Sequence, residues 1–275
     1  MSVAETPDLE VHDLSVEFGG VHAVSSVTTV VRPHELVAVI GPNGAGKSTL
    51  LNAISGLVRR QTSGEIRFRG EPIHGLPVAR RAVKGIGRSF QNPPLVDPLT
   101  VVENVMVGSF GVRDYRVIDQ LVRPRKVARS ERAREEQARG ILEFVGLSAI
   151  ADMPASEIAY GQRKLVDIAR ALTSEPRLLL LDEPTSGLGK SEHEAMGLLL
   201  ERLMERGEMS ILMVEHHMDL VRSTATRVIG LQAGELVADG PTLSVLDSEE
   251  FQATLVGLAP GKPAPGKLGA QEAEL

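Results

Sequence analysis

The chain has 275 residues, of which 42% are hydrophobic and 24% are charged, as is ordinary for a globular protein. Aromatic residues make up only 3% of the chain, so the core must be aliphatic. The net charge of -6 argues against broad nucleic-acid binding, and the absence of Cys excludes disulfides and thiolate metal sites. No apolar run approaches the ~20 residues that span a bilayer, and Met1 to Leu9 does not resemble a secretory signal. We therefore expect the protein to reach any membrane by docking on another chain.

The start of the chain has strand patterns. Apolar residues at roughly every second position predict a strand from Leu9 to Phe18, Gly19-Gly20 predicts a turn, and a second strand follows from Val21 to Val31. The wholly apolar segment Leu36 to Ile40 is typical of a buried parallel strand. These patterns predict an N-terminal antiparallel β subdomain beside a parallel sheet. Shorter strand patterns occur at 64–68 and 86–90.

Residues 92–160 differ in character and predict an inserted α-helical subdomain. Asn92-Pro93-Pro94 opens a loop, Thr100 is placed to cap a helix that runs to Gly108, and a charged helix spans about Ser130 to Val145. Nine basic and five acidic residues lie between Arg113 and Arg139. A solvated helix face is the simpler explanation of this charge, and proximity to anionic headgroups or a membrane partner is the alternative.

Helices and strands alternate again from Tyr160 onward. This alternation predicts an α/β fold with a mostly parallel sheet and helices on both faces. We assign residues 8–257 to one domain, with an α/β core and the β subdomain in 8–91 and 161–257. Residues 258–275 are rich in Pro and Gly and are expected to be disordered. The predicted elements are helices at 161–173, 191–206 and near 218, and strands at 178–181, 211–214, 227–231 and 235–238.

A phosphate-binding loop is the most specific motif in the chain. Its glycines let backbone N–H groups turn towards phosphate oxygens, and the helix that starts near Lys47 adds a partial positive charge. Lys47 is suited to neutralise the β- and γ-phosphates of ATP, and Ser48 to ligate Mg²⁺. A Gly-rich surface turn is the alternative, but the strand before the motif and the helix after it favour an ATP-binding loop. The segment that matches G-x-x-x-x-G-K-[ST] is Gly41-Pro42-Asn43-Gly44-Ala45-Gly46-Lys47-Ser48-Thr49.

A pair of acidic residues follows the apolar run Leu178 to Leu181. Asp182 and Glu183 are thereby delivered to the carboxyl end of a buried strand, where open α/β sheets bind ligands. Asp182 is suited to hold Mg²⁺ through water, and Glu183 is suited to polarise the attacking water. Because strands often end in acidic helix caps, the pair becomes specific only together with the phosphate loop.

Together these motifs resemble the ATP-binding cassette (ABC) transporter ATPase family, over about residues 9–257, and this resemblance implies a fold with a P-loop NTPase core. Phe18 takes the place of the aromatic residue that stacks on adenine, Gln91 that of the Q-loop glutamine that senses Mg²⁺, and His216 that of the switch histidine at the γ-phosphate. Ile158-Ala159-Tyr160-Gly161-Gln162 stands where the family has its LSGGQ signature. The family implies two cassettes that meet head to tail, with each ATP between one phosphate loop and the opposite signature helix. It also implies that the motion passes to membrane subunits docked on the helical subdomain.

Each of these residues has a plainer explanation when it is taken alone. Phe18 could be a core residue, Gln91 a strand cap, and His216 an ordinary helix start beside His217. Their joint order and spacing carry the resemblance.

Two positions depart from the family pattern. Ala159 stands where the family has Ser, whose hydroxyl would donate to the γ-phosphate across the dimer, and the loss of such a bond costs roughly 1.5–3 kcal/mol. Gly189 stands where many cassettes have Asp, and it lacks a side chain that helps to couple the two ATP sites. Because the signature acts in trans, Ala159 would weaken the ATP site of the partner and not the site built on Lys47. The resulting hypothesis is a functionally asymmetric pair, most naturally a heterodimer.

Several stretches resemble the branched-chain amino acid importer subgroup, whose cassettes act at the cytoplasmic face of the membrane. That subgroup shares Tyr160 at the signature and uses two different cassettes, two permeases and a periplasmic binding protein. Urea and short-amide importers share much of the pattern and stay open. So does a catalytically weak regulatory subunit, although Glu183 and His216 argue against it. A soluble ABC ATPase of DNA repair or translation would carry tandem cassettes or long coiled-coil insertions, which this chain lacks. The stretches are 85–92, 99–105, 159–162 and 214–221.

Overall fold

A six-stranded sheet forms the centre of the fold. The computed structural model describes residues 6–109, 124–249 and 251–252. In the strand order β10-β9-β3-β8-β7-β6, the first pair is antiparallel and all the others are parallel, which confirms the predicted sheet type. The carboxyl ends of β3, β7 and β8 therefore meet at one edge. The strands are β3 (Leu36–Ile40), β6 (Ile86–Arg88), β7 (Leu178–Asp182), β8 (Ser210–Val214), β9 (Arg227–Gln232) and β10 (Glu235–Pro241).

A second, antiparallel sheet of four strands confirms the predicted N-terminal β subdomain. Its order is β2-β1-β4-β5, and each neighbouring pair is antiparallel. The β1–β2 hairpin turns at Gly19-Gly20, as the sequence predicts. Its strands are β1 (Leu9–Phe18), β2 (Val21–Val31), β4 (Thr62–Phe68) and β5 (Glu71–Pro72).

Eight α-helices lie in the described ranges, and six of them were predicted. Thr100 caps α3 as expected, because its side chain accepts from the Glu103 N–H at 3.3 Å while the Glu103 carboxylate accepts from the Thr100 N–H at 2.8 Å. The charged helix α4 begins at Pro124, earlier than the predicted Ser130, and α2 and α8 were not predicted. The helices are α1 (Lys47–Ser55), α2 (Val78–Lys84), α3 (Val101–Val107), α4 (Pro124–Phe144), α5 (Tyr160–Leu172), α6 (Lys190–Glu205), α7 (Met218–Thr224) and α8 (Thr242–Leu246).

Apolar side chains fill both faces of the central sheet, because alternate residues of each buried strand point in opposite directions. On β3, Leu36, Ala38 and Ile40 join one apolar cluster, whereas Val37 and Val39 join the other. The first cluster includes residues of α3 to α8, and the second includes α1 and the antiparallel sheet. Helices therefore lie on both faces of the sheet, as predicted, but in unequal numbers, because the β subdomain covers much of one face.

Helix α5 packs against α3 and α4 on one side and against β6 and β7 on the other. It therefore connects the helical segment to the central sheet. None of the helices in the described ranges combines the length and the apolar character that crossing a membrane requires. The predicted disordered tail, 258–275, and residues 113–123 of the basic segment lie outside the described residues.

Candidate functional site

The phosphate loop joins the end of β3 to the start of α1, and close packing fixes its path. Gly41 and Gly46 have positive φ angles of 152° and 96°. A Cβ atom on Gly41 would lie 2.0 Å from the Leu231 carbonyl oxygen, and one on Gly46 would lie 2.2 Å from that of Ala23. Because both obstacles are backbone atoms, these two positions require glycine.

The tip of the loop faces solvent while its base is held. Asn43 and Gly44 are exposed, whereas Ala45 is buried and its carbonyl oxygen accepts from the Gly234 N–H at 3.1 Å. The first N–H groups of α1 have no partner within the helix, and they carry its partial positive charge. The loop and the helix start therefore fit the phosphate oxygens of a nucleotide.

Lys47 lies inside the loop and is only 6% exposed. Its Nζ donates to the carbonyl oxygens of Gly41 and Pro42, both at 2.9 Å. Burial lowers the pKa of Lys47, while the carboxylates of Glu183 and Asp182 oppose that shift. The loop thus holds an ammonium group whose present partners are neutral carbonyls, which a phosphate could replace.

Ser48 and Asp182 bring a hydroxyl and a carboxylate together beside the loop. Ser48 Oγ donates to Asp182 Oδ1 at 3.0 Å. Such oxygens suit Mg²⁺, which takes one or two protein ligands and completes its coordination with phosphate and water. Among the described residues, no cluster of three His, Cys, Asp or Glu side chains could hold a metal by itself. The donors therefore fit a cation that arrives with a nucleotide.

Arg88, which the sequence analysis missed, holds the other oxygen of Asp182. Its Nη2 donates to Asp182 Oδ2 at 3.1 Å and to Asn52 Oδ1 at 2.7 Å, and its Nη1 donates to Ser55 Oγ at 2.5 Å. Burial lowers the pKa of Arg88, and attraction to Asp182 opposes that shift. The guanidinium thereby fixes Asp182 relative to α1. A charged residue at the end of a short, otherwise apolar strand was the available signal.

The side chains of Gln91 and His216 both contact that of Glu183, as the predicted roles of these three residues require. Gln91 Nε2 donates to Glu183 Oε2 at 2.6 Å, and His216 Nε2 lies 3.0 Å from Glu183 Oε1. Glu183 has a φ of 47°, in the left-handed region that costs a non-glycine residue about 1–2 kcal/mol. Its N–H donates to the Val214 carbonyl oxygen at 3.0 Å, which helps to hold this conformation. A strained, hydrogen-bonded carboxylate at the edge of the sheet is suited to orienting a water molecule.

Glu215 is a second residue that the sequence analysis missed, and it is 1% exposed. Its Oε1 accepts from the N–H of Thr185 at 3.3 Å and also from the Thr185 hydroxyl. Its Oε2 accepts from the N–H groups of His216 at 2.6 Å and His217 at 3.4 Å. The carboxylate therefore ties the loop after Glu183 to the segment that carries His216.

The predicted signature segment forms the start of α5, with Ala159 as the N-cap residue. The Ala159 N–H donates to Gln162 Oε1 at 2.9 Å, but alanine has no side-chain oxygen that could accept a bond in return. The helix therefore has half of a capping box. Tyr160 is 41% exposed, and its hydroxyl donates to the Gln91 carbonyl oxygen at 3.2 Å. In the part of the chain that the structure describes, no hydrogen bond joins 159–162 to 41–49.

Glu192 lies between the signature segment and the loop before α6. Its Oε2 accepts from the Gly189 N–H at 2.7 Å. A Cβ atom on Gly161 would lie 2.1 Å from Glu192 Oε1, so the glycine leaves room for this carboxylate. Gly189 has a φ of -81°, which any residue can adopt. Backbone geometry therefore does not explain the glycine at 189.

Phe18 lies at the end of β1, where it is 42% exposed and is paired with Val21 across the hairpin turn. The same hairpin supplies Ala23, whose carbonyl oxygen packs on Gly46. The ring is thus an exposed apolar surface on the strand pair that borders the phosphate loop.

Known proteins with similar sequences are transport ATPase subunits. Residues 24–186 match the family model described as ABC transporter. The high-affinity branched-chain amino acid transport ATP-binding protein BraF of Pseudomonas aeruginosa is 37% identical over 253 residues, which cover 92% of this chain and 99% of that protein. LivG of Escherichia coli, also a high-affinity branched-chain amino acid transport ATP-binding protein, is 32% identical with the same coverage. The phosphonates import ATP-binding protein PhnC 2 of a Synechococcus species is 38% identical, covering 86% of this chain and 93% of that protein.

Solved structures agree with the sequence matches. A nucleotide-free ATP-binding cassette from an ABC transporter has a TM-score of 0.77 at 28% identity, covering 93% of this chain and 100% of that chain. A cassette in its ADP conformation also has a TM-score of 0.77 at 28% identity, covering 91% and 99%. A dimeric cassette bound to ADP and phosphate after hydrolysis has a TM-score of 0.72 at 26% identity, covering 85% and 98%. With its phosphate loop and acidic strand end, the chain belongs to the ABC transporter family as an ATP-binding cassette.

Proposed function

We propose that this cassette hydrolyses ATP at the cytoplasmic face of the membrane to power an importer of branched-chain amino acids. The observation that carries the hydrolytic part is the Glu183 carboxylate, held by Gln91 at 2.6 Å and His216 at 3.0 Å beside a complete phosphate loop. The similarity to BraF and LivG, which are branched-chain amino acid transport proteins, supports branched-chain amino acids as the cargo.

The phosphate loop binds the substrate. Lys47 exchanges its bonds to the loop carbonyls for bonds to the β- and γ-phosphates of ATP, and Phe18 stacks on the adenine ring. The remaining loop residues, from Gly41 to Thr49, surround the phosphates with N–H groups. Mg²⁺ bound with ATP neutralises phosphate charge, and Ser48, Asp182 and Gln91 would hold it.

Glu183 then orients the attacking water. The water oxygen forms a bond to the γ-phosphorus while the bond from the bridging oxygen to that phosphorus breaks, so that ADP and phosphate leave. Gln91 and His216 keep the carboxylate in place, and His216 also contacts the γ-phosphate. Residues 159–162 serve the ATP of the partner subunit, which is a second cassette in a heterodimer. The dimeric neighbour with ADP and phosphate supports pairing.

Permease subunits dock on an apolar groove next to Gln91. The groove has a volume of about 300 Å³ and lies between α2, β6, α3 and α5. Leu57 and Val78 at its rim are 48% and 41% exposed, and Phe90 in its wall directly precedes Gln91. A short helix of a membrane subunit fits such a groove. The division of 8–257 into a core and a helical subdomain, 92–160, belongs to the same proposal, and a periplasmic binding protein acts indirectly.

Two alternatives have specific observations behind them. An importer of urea or short amides is the alternative cargo class, because such importers share much of the sequence pattern of the branched-chain subgroup. Percentage identity alone does not separate cargoes, since PhnC 2 is 38% identical over 86% of this chain and BraF is 37% identical over 92%. A catalytically weak regulatory subunit is favoured by Ala159 and Gly189, whose side chains lack the groups that the family pattern has there.

Co-expression with the products of neighbouring genes tests the proposal. We expect the chain to co-purify from membranes with permeases and a second cassette. In vesicles with the binding protein, leucine, isoleucine or valine should stimulate ATP hydrolysis, and Lys47→Ala should abolish it. Stimulation by urea or phosphonate alone would overturn the cargo assignment. An unchanged rate in the Lys47→Ala transporter would assign hydrolysis to the partner and make this chain regulatory.

A further inference from the structure

We propose that Lys164 is a positioning residue that couples the signature helix of this chain to its own hydrolytic site. The inference rests on the proposed hydrolysis of ATP at Glu183. It concerns a buried ammonium group on α5 that lies outside the phosphate loop.

The Lys164 side chain is 2% exposed, and it reaches two other elements of the site. Its Nζ donates to the Glu183 carbonyl oxygen at 2.8 Å and to the Gln91 carbonyl oxygen at 3.1 Å. One charged group on α5 thus holds the backbone at the end of β7 and the backbone after β6. Bonds to a charged donor are stronger than those between neutral groups.

The two carbonyls belong to the residues whose side chains meet at the site. Gln91 and Glu183 are joined by their side chains at 2.6 Å and, through Lys164, by their backbones. Glu183 keeps a left-handed φ of 47°, and such a conformation persists only where its surroundings hold it. Without the ammonium, the carbonyl oxygen of this strained residue keeps only the Ser186 N–H at 3.2 Å, and the carboxylate can drift from its position.

Tyr160 adds a second link from the same helix. Its hydroxyl donates to the Gln91 carbonyl oxygen at 3.2 Å, and Lys164 Nζ lies 5.5 Å from the centre of its ring. A shift of the start of α5 therefore moves the backbone of Gln91 and Glu183 as well. Because this helix start is the part offered to the ATP of the partner, Lys164 conveys the state of one ATP site to the other.

The neighbouring Arg163 provides a matched control. Its Nη2 donates to Asp97 Oδ1 at 2.7 Å and its Nη1 donates to the Ala155 carbonyl oxygen at 2.6 Å. Both partners belong to the helical segment, and neither touches Glu183 or Gln91. Arg163→Met therefore removes a cation from the same turn of α5 without altering the hydrolytic site.

The test measures kcat and KM for ATP in the assembled transporter for Lys164→Met, Lys164→Gln, Lys164→Arg and Arg163→Met. Methionine removes the charged donor from both carbonyls, which keep only the Tyr160 hydroxyl and the Ser186 N–H, each at 3.2 Å. Glutamine retains one donor group, and arginine retains several. We expect kcat to fall by about tenfold or more for methionine, less for glutamine, and little for arginine, with KM changed by less than about threefold. Arg163→Met should stay within about twofold of the wild type.

Amide hydrogen exchange of the full chain provides a readout that does not depend on turnover. Exchange should rise around Gln91 and Glu183 in Lys164→Gln and stay unchanged there in Arg163→Met. If Lys164→Met does not fold, the kcat and the amide exchange of Lys164→Gln decide whether the inference holds. Wild-type kcat and exchange in Lys164→Gln would overturn the inference. If transport by the wild-type complex does not depend on ATP hydrolysis by this chain, the proposed function is overturned instead.

Discussion

The phosphate-loop half and the signature half of this cassette are built differently. In the first, Lys47, Asp182 and Glu183 each have at least two polar partners, and backbone atoms confine two glycines of the loop, Gly41 and Gly46. In the second, Ala159 is held only through its backbone, by an N–H bond to Gln162 Oε1 at 2.9 Å and a carbonyl bond from the Arg163 N–H at 3.0 Å, and Tyr160 is 41% exposed. The groups that we propose to act within the chain are already arranged, whereas those that we propose to meet a partner are less constrained.

This difference predicts in which half of the cassette a substitution should have the larger effect. A rigid network transmits a small displacement to every member, because close-packed groups cannot relax independently. A partly exposed helix start can adjust when a second chain binds. Matched changes in the two halves should therefore have unequal effects.

Among the matched changes in the two halves, the largest expected effect comes from removing the charge of Glu183. In Glu183→Gln the side chain keeps its size but loses the negative charge that orients water, so turnover should fall by about 100-fold or more. The affinity for ATP should change by less than about threefold, because Lys47 and the loop are intact. Steady-state hydrolysis and equilibrium binding of a fluorescent ATP analogue measure the two quantities.

Glu192→Gln makes the same chemical change beside the signature segment. It keeps an acceptor for the Gly189 N–H, so the turnover should fall by less than about tenfold. If the loss equals that of Glu183→Gln, the proposed contrast between the two halves is wrong.

A second comparison places a methyl group at two glycines with nearly equal clash distances. On Gly41 the added Cβ would lie 2.0 Å from the backbone oxygen of Leu231, and on Gly161 it would lie 2.1 Å from the side-chain oxygen of Glu192. Gly41→Ala should lower the free energy of unfolding by about 2–3 kcal/mol, because backbone must shift. Gly161→Ala should cost less than about 1 kcal/mol, because the carboxylate can rotate away and alanine favours the helix. Thermal unfolding without nucleotide compares them.

Gly44→Ala separates steric overlap from backbone strain in this comparison. Gly44 has a φ of 79°, but its added Cβ would meet no atom within 4 Å. The variant should therefore lose only the strain energy of about 1–2 kcal/mol. Equal losses for Gly41→Ala and Gly161→Ala would show that the signature half is as rigid as the loop.

The phosphate-loop half was also the more predictable one. The apolar run of β3, the glycines after it and α1 are contiguous in sequence, so local rules predict them correctly. Asp182 and Glu183 follow from the same logic, since a buried strand delivers its last residues to the edge of the sheet. The sequence also predicts the Thr100 cap and the antiparallel subdomain, because both depend on neighbouring residues.

Contacts between distant residues could not be predicted in the same way. Arg88, Lys164 and Glu215 look like ordinary charged residues, and only the fold brings their partners within reach. Helix α2 was missed because its main anchor is Arg81, which is 1% exposed, and not an apolar stripe. The Arg81 guanidinium donates to carbonyl oxygens of Ala53 and Ile54 at 2.7 and 2.6 Å at the end of α1. Burial lowers the pKa of Arg81 to about 10.

The smallest expected effect sharpens the comparison at Ala159. The residue has φ and ψ angles of -64° and 156°, which are ordinary for an N-cap, so serine fits without strain. Ala159→Ser completes the capping box and should raise the free energy of unfolding by about 0.5–1 kcal/mol. Its hydroxyl can also donate to the phosphate of the partner's ATP, so turnover of the assembled transporter should rise by up to about tenfold.

Ala159→Asp distinguishes the two effects of this change. Aspartate caps a helix about as well as serine, but at neutral pH it has no proton to donate and its charge repels phosphate. We therefore expect both variants to be stabilised, with turnover raised in Ala159→Ser and lowered in Ala159→Asp. If turnover is unchanged or falls in Ala159→Ser, Ala159 does not weaken the partner's site. The weaker constraint on the signature half would then reflect only its contact with another chain. The asymmetry of the pair would have a different origin, and Gly189 is the remaining departure from the family pattern.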